Sequence, residues 1–201
     1  MSDSQEVIMS NNQVKSKTKT ENMVMCAILT ALVIVLQLMG SFIRLGPFSI
    51  SLVLVPIVIG SAVCGRWAGG WLGLVFGIIV LFMDSAAFMA INPLGTIITV
   101  IVKGAAAGLL AGITYSLLAK KNKMLAVIAA AAICPIVNTG IFLIGCKLFF
   151  MNAIIGWGQA AGFASAGQYI IYGLVGGNFI IELLINMILS PVIVRLINYR
   201  K

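Results

Sequence analysis

The stretch Asn92–Tyr115, NPLGTIITVIVKGAAAGLLAGITY, sets the class of the whole protein. A helix over it is long enough to cross a hydrocarbon core of about 30 Å, which takes about 20 apolar residues. One cation, Lys103, interrupts it near the middle. A charge at that depth is costly unless something pairs with it, and such residues mark pathways and binding sites. Immediately after it, Gly104, Gly108 and Gly112 recur every four residues and form a face that another helix can approach closely. The stretch therefore joins a buried charge to a packing surface.

Outward from it, the same composition continues. Of 201 residues 61% are hydrophobic and 9% charged, against about 25% charged in a soluble domain. Apolar runs of span length recur along nearly the whole chain, without the period-two alternation of a membrane β-barrel. The expectation is an all-α integral membrane protein, multi-pass in a cell membrane. The net charge of +8 comes from cations flanking apolar spans, a topological signature and not a nucleic-acid stripe. The four cysteines lie singly in apolar segments, so neither a zinc site nor a disulfide framework is indicated. There is no histidine, no G-x-S-x-G and no carboxylate cluster, which argues against an enzyme. Nor is there a G-x-x-x-x-G-K-[ST] phosphate loop, so any ATP would be used by partners, and no cofactor is expected on this chain.

Taken in order, residues 1–20 are polar and lack apolar periodicity, so they are expected as a flexible or interfacial cytoplasmic tail. Residues 21–201 form the membrane domain. Its six expected spans are 22–40, 48–64, a Gly-rich third running to about 89, the opening stretch, 124–150 and 169–198. Gly69, Gly73 and Gly77 share one face of the third span. An even number of crossings puts both termini on one side. With that side cytoplasmic, Lys15, Lys17, Lys19, Arg66, Lys120, Lys121, Lys123, Arg195, Arg200 and Lys201 all lie inside, as the positive-inside rule requires.

That orientation gives depths. Lys103 lies roughly 12 Å below the outer end of its helix, Asn178 roughly 13 Å and Asn138 roughly 18 Å, with Glu182 one turn below Asn178. Four polar groups on three helices thus converge in the outer half. Two readings follow. Either Lys103 and Glu182 form a buried ion pair with the asparagines as interhelical glue, or the four line an outward-facing cavity. The cavity would be roofed by the outside loops 41–48, 84–94 and 151–168. Those loops contribute Arg44, Asp84, Asn92, Trp157, Gln168 and Tyr169 as candidate ligand contacts, although Trp and Tyr also favour the membrane boundary. Ala27 and Ala31, four apart in the first span, offer a second docking face.

With these residues on the page, the chain resembles the S components, the substrate-binding membrane subunits of energy-coupling factor (ECF) vitamin transporters. The likeness covers about residues 22–199. It rests on Ala27-x-x-x-Ala31, on GPFSISLVLVPIVIGSAVCG at Gly46–Gly65 with the Gly-rich helix after it, and on NPLGT…KGAAAGLLAGITY. The resemblance implies a six-helix bundle that captures a vitamin or related micronutrient from outside. It implies delivery by toppling on a transmembrane T component driven by two cytosolic ABC-type ATPases. It also implies that Ala27 and Ala31 face the T component and that Lys103 meets a substrate carboxylate. If so, pantothenate, biotin or a folate are candidates; if Glu182 neutralises Lys103, a neutral heterocycle such as riboflavin is as good. The other class is a stand-alone secondary transporter or facilitator of a small organic solute.

Overall fold

The computed structural model describes residues 3–42, 44–45, 48–49 and 52–199. Helix α1 spans Asp3–Phe42 and leads into a two-strand hairpin, β1 Arg44–Leu45 and β2 Phe48–Ser49, with Arg44 opposite Ser49. The short α2, Leu54–Val63, follows, then α3, Arg66–Met83, and the single turn α4, Ala86–Met89. Next come α5, Pro93–Leu118, and α6, Lys123–Gly145. A π-helical turn, Cys146–Phe150, joins α6 to α7, Met151–Ala160. After α8, Ala166–Gln168, a second π-helical run, Tyr169–Val175, leads into α9, Gly176–Tyr199.

Two sequence expectations change here. The polar leader, expected as a flexible or interfacial tail, is helical from Asp3 onward. No glycine or proline occurs before Gly40 to stop a helix once the apolar span has nucleated it. Among the described residues the six expected spans are not all found. Four helical stretches, Lys19–Gly40, Arg66–Met83, Pro93–Leu118 and Lys123–Ala160, are long and apolar enough to cross a membrane. A fifth results if Ala166–Val175 and Phe179–Arg195, bent by 41° at their junction, count as one. The expected second span is instead the hairpin plus α2, whose ten residues rise only roughly 15 Å, half a hydrocarbon core. The run Lys123–Ala160 errs the other way: its 38 residues exceed one span, and the helix breaks at Phe150, where φ is −128°.

Helix starts follow local chemistry. At α5 the Asn92 side chain accepts the Gly95 N–H at 2.9 Å, and Pro93 occupies the first turn, where its missing N–H costs nothing. At α6 the Asn122 side chain accepts from Met124 and Leu125. Between α2 and α3, Gly65 adopts φ 97°, which turns the chain back on itself.

The packing is built around α2 and the α3–α5 pair. Leu54, Ile57 and Val58 of α2 are fully buried, and α2 touches α1, α3, α5, α6 and α9. The two glycine faces of the sequence meet each other. A Cβ on Gly73 would strike the Gly104 carbonyl, one on Gly104 the Gly73 carbonyl, and one on Gly108 the Gly69 carbonyl. The pairing of Gly69 with Gly108 and of Gly73 with Gly104 makes the two helices antiparallel. Ser61 of α2 ties into the same seam, donating its hydroxyl to the carbonyls of Ile57 (2.8 Å) and Gly108 (3.0 Å).

Adding one methyl group at this seam forces the backbones apart. Gly104→Ala is expected to cost about 1–3 kcal/mol. Gly140→Ala, where nothing lies within 4 Å, should be neutral or stabilise by up to ~1 kcal/mol. Thermal unfolding of both variants in detergent checks this, and equal midpoints would contradict it.

Candidate functional site

Because α3 and α5 touch backbone to backbone, the residue beside Gly104 sits close to α3. That residue is Lys103. Its ammonium lies 5.9 Å from the ring centroid of Phe76 on α3 and 5.1 Å from that of Phe142 on α6. Each ring is within the range at which a cation is drawn to an aromatic face, worth roughly 1–2 kcal/mol away from water. A lysine at a span centre costs roughly 2.5–3.5 kcal/mol on insertion scales, so the rings offset much of that cost. Among the described residues no carboxylate closes to ion-pair distance of this ammonium. The carboxylates whose charge acts on it are Glu182 first, then Asp84.

Glu182 lies on α9 and is only 8% exposed. Its charge acts on Lys103 and on the Cys134 thiol of α6, while that of Lys103 acts on Cys146. Cys134, Asn138, Phe142 and Cys146 follow one another at i+4 and form one stripe of α6. That stripe meets Lys103 at Phe142, with Asn138 one turn before it. Asn138 is 8% exposed, and among the described residues its Oδ1 has no hydrogen-bond partner. Two further buried acceptors stand equally without a partner among the described residues, Thr99 Oγ1 one turn before Lys103 and Asn186 Oδ1 one turn after Glu182. The Asn186 amide donates to the Glu182 carbonyl at 2.8 Å.

A second apolar cluster covers the Lys103 end. Phe88 of α4 makes edge contacts with Phe142 (5.7 Å), Phe150 (5.0 Å) and Trp157 (5.4 Å). Cys146, Phe150 and Ile154 form its buried centre, with Tyr169, Ile170 and Leu174 packed on it. Both π-helical segments lie in this cap, where a wider helical turn displaces side chains from their α positions. Phe142 belongs to both structures: one side of the residue carries the Lys103 cation, the other the aromatic cap.

The sequence candidates fall into three groups. Lys103, Asn138 and Glu182 share the interior just described. Arg44 and Asn178 have side chains that lie outside the described residues. The remainder occupy the cap or its rim with definite local partners. Asp84 ends α3 and accepts from Gln37 Nε2 at 2.8 Å, tying α3 to α1. Asn92 is the α5 cap, and Trp157 meets Phe88 edge to face. Gln168 accepts the Ala164 N–H at 3.1 Å, and Tyr169 packs on Gly158 and Phe163. The outside loops 84–94 and 151–168, expected as a roof, do meet, through Phe88 and Trp157, but mostly as helices. Sequence reasoning missed Phe76, Phe88, Phe142 and Thr99. Thr99 and Phe142 were visible as i+4 neighbours of Lys103 and Asn138; Phe76 and Phe88 carried no local signal.

A bundle of apolar helices holding a shielded cation, a carboxylate and unpartnered acceptors defines a multi-pass membrane protein with an interior polar site. A family model for the ECF transporter substrate-specific component matches residues 21–194. The chain therefore belongs to that family, and is a substrate-specific transport subunit of a membrane, not an enzyme. Among curated proteins none matches the chain. Membership brings T-component and ATPase partners in general terms.

A buried acceptor without a donor destabilises the empty protein by roughly 1–3 kcal/mol. Asn138→Leu, which keeps the volume, should raise the unfolding midpoint of the ligand-free protein or leave it unchanged. A lower midpoint would mean that Asn138 is structural glue.

Proposed function

We propose that this chain captures a vitamin or related micronutrient from the outside in the interior between α5, α6 and α9. It then delivers that ligand by toppling on a T component driven by two cytosolic ABC-type ATPases. The observation that carries the reading is the Lys103 ammonium, held inside a membrane-spanning bundle over two aromatic rings. An anionic group arriving there from water gains a contact worth about 4 kcal/mol at an effective dielectric constant near 20. Asn138, Glu182 and Thr99 supply the polar wall, and the Phe88–Trp157 cap excludes water. Asp84, Asn92, Gln168 and Tyr169 belong to the rim through which the ligand passes.

The cap end of the bundle faces outward in this reading. The cations Arg66, Lys120, Lys121, Lys123 and Arg195 then stand at the opposite, cytoplasmic end together with both termini, consistent with the positive-inside rule. Ala27 and Ala31 are both exposed, on the span that buries the smallest share of its surface. They form the T-component face, where small residues let helices approach. The membrane is the prokaryotic plasma membrane.

Two measurements separate the site from the docking face. Lys103→Ala should weaken binding of the co-purifying ligand by 100-fold or more, since an unpaired buried charge costs about 3–5 kcal/mol; calorimetry on the purified protein reads it. Ala31→Trp should leave that affinity unchanged and abolish co-purification with the T component. Unchanged affinity in Lys103→Ala sinks the site. Solute uptake by the chain alone in ATPase-free proteoliposomes would favour a secondary transporter or facilitator instead.

A further inference from the structure

Beside their glycine seam, α3 and α5 enclose an apolar groove of about 530 Å³. It is bounded by Trp67, Gly70, Trp71 and Leu74 on α3 and by α5 from Ile101 to Leu109, and among the described residues no other helix lines it. Both helices are long and apolar enough to cross a membrane, so the groove opens sideways into hydrocarbon. From Ile101 to Leu109 it runs roughly 12 Å, most of the roughly 15 Å depth of one leaflet's hydrocarbon. Its tryptophan walls are held in place. The Trp71 indole donates to Thr30 Oγ1 of α1 at 3.3 Å, and the Arg66 guanidinium lies 5.7 Å from the Trp67 ring centroid. Trp67 is 73% exposed, and Arg66 is exposed and carries no ion pair among the described residues. Arg66 starts α3, so the groove has a cation at one end, the end that the positive-inside rule places at the cytoplasmic surface.

We propose that this groove is a lipid site: an anionic phospholipid of the cytoplasmic leaflet lays one acyl chain between α3 and α5 and sets its phosphate on Arg66. A furrow most of a leaflet deep, with a cation at its surface end, has the layout of a phospholipid. Gly70 and Ala105 give the furrow its depth, since longer side chains there would occupy the space of the chain. The exposed Trp67 ring suits the boundary level, where an indole meets both headgroup and hydrocarbon. The arginine fork matches a phosphate, and basic pockets between spans on the cytoplasmic side hold anionic headgroups. The lipid site shares the orientation of the bundle with the substrate site and none of its residues. Lys103 is two residues, about 200° of helical turn, from Ala105, so the two sites lie on opposite sides of α5.

The test uses the full chain, stripped of co-purified lipid in detergent. It is offered equal amounts of phosphatidylglycerol and phosphatidylcholine with identical chains and read by native mass spectrometry. One phosphatidylglycerol should survive the collision energy that removes the other lipids, and should exceed phosphatidylcholine about fivefold or more. Arg66→Gln should bring that ratio down to about one. Gly70→Leu should abolish the retained lipid of either kind. A Cβ at Gly70 meets the Leu109 side chain at 3.6 Å, an ordinary contact, so the larger side chain fills the groove without parting the helices. Thermal midpoints check that each variant folds; if Gly70→Leu does not, the lipid ratio in Arg66→Gln still decides. Lys103→Ala should hold the lipid as the parent does, so loss of substrate binding and loss of lipid are read separately. Equal retention of the two lipids, or no lipid that outlasts the rest, overturns the inference. So does an unchanged ratio in Arg66→Gln. A Gly70→Leu protein that keeps its lipid but no longer co-purifies with the T component makes the groove a protein surface and overturns it as well.

Discussion

The structure depends on how closely α3 and α5 approach. Their glycines place carbonyl oxygens where any side chain would stand, so the two helices meet backbone to backbone. Everything at the site inherits its position from that seam. Lys103 precedes Gly104, Phe76 lies one residue before Gly77, and a wider separation would take the ring away from the ammonium. The short α2 locks the seam from its inner side through Ser61 and the Gly108 carbonyl.

The electrostatics follow from the same geometry. In a low-dielectric interior, opposite charges that touched would neutralise each other and leave little for a solute. Here the rings of Phe76 and Phe142 hold the cation without cancelling it, because a ring quadrupole attracts an ammonium and accepts no proton. Phe142 also packs on Phe88, so the cap and the cation share one side chain. The cap is a second small core, apolar and separate from the main one, which excludes water at the end where the cation lies.

Much of this was legible in the sequence, for reasons of cost. A lysine in a membrane span and glycines every four residues are expensive unless used, so Lys103 and both glycine faces stood out. The i+4 rule likewise aligned Glu182 with its neighbours. Other features carried no local signature. Phe76 and Phe88 are ordinary apolar residues whose roles depend on tertiary contact. The length of α2 was hidden because an apolar run reads the same whether ten of its residues are helical or seventeen. The helix of the polar leader carried only a negative sign in the sequence, the absence of any helix breaker before Gly40. Asn92, Gln168 and Tyr169 were singled out by residue type alone, and type does not distinguish a cap or a packing contact from a ligand contact.

The account turns on what neutralises Lys103. The most direct measurement is an experimental structure of the chain with its co-purifying ligand bound. The account predicts an anionic group of that ligand within hydrogen-bond distance of Lys103 Nζ, between the Phe76 and Phe142 rings. A direct Lys103–Glu182 ion pair, with the ligand bound elsewhere, would contradict it.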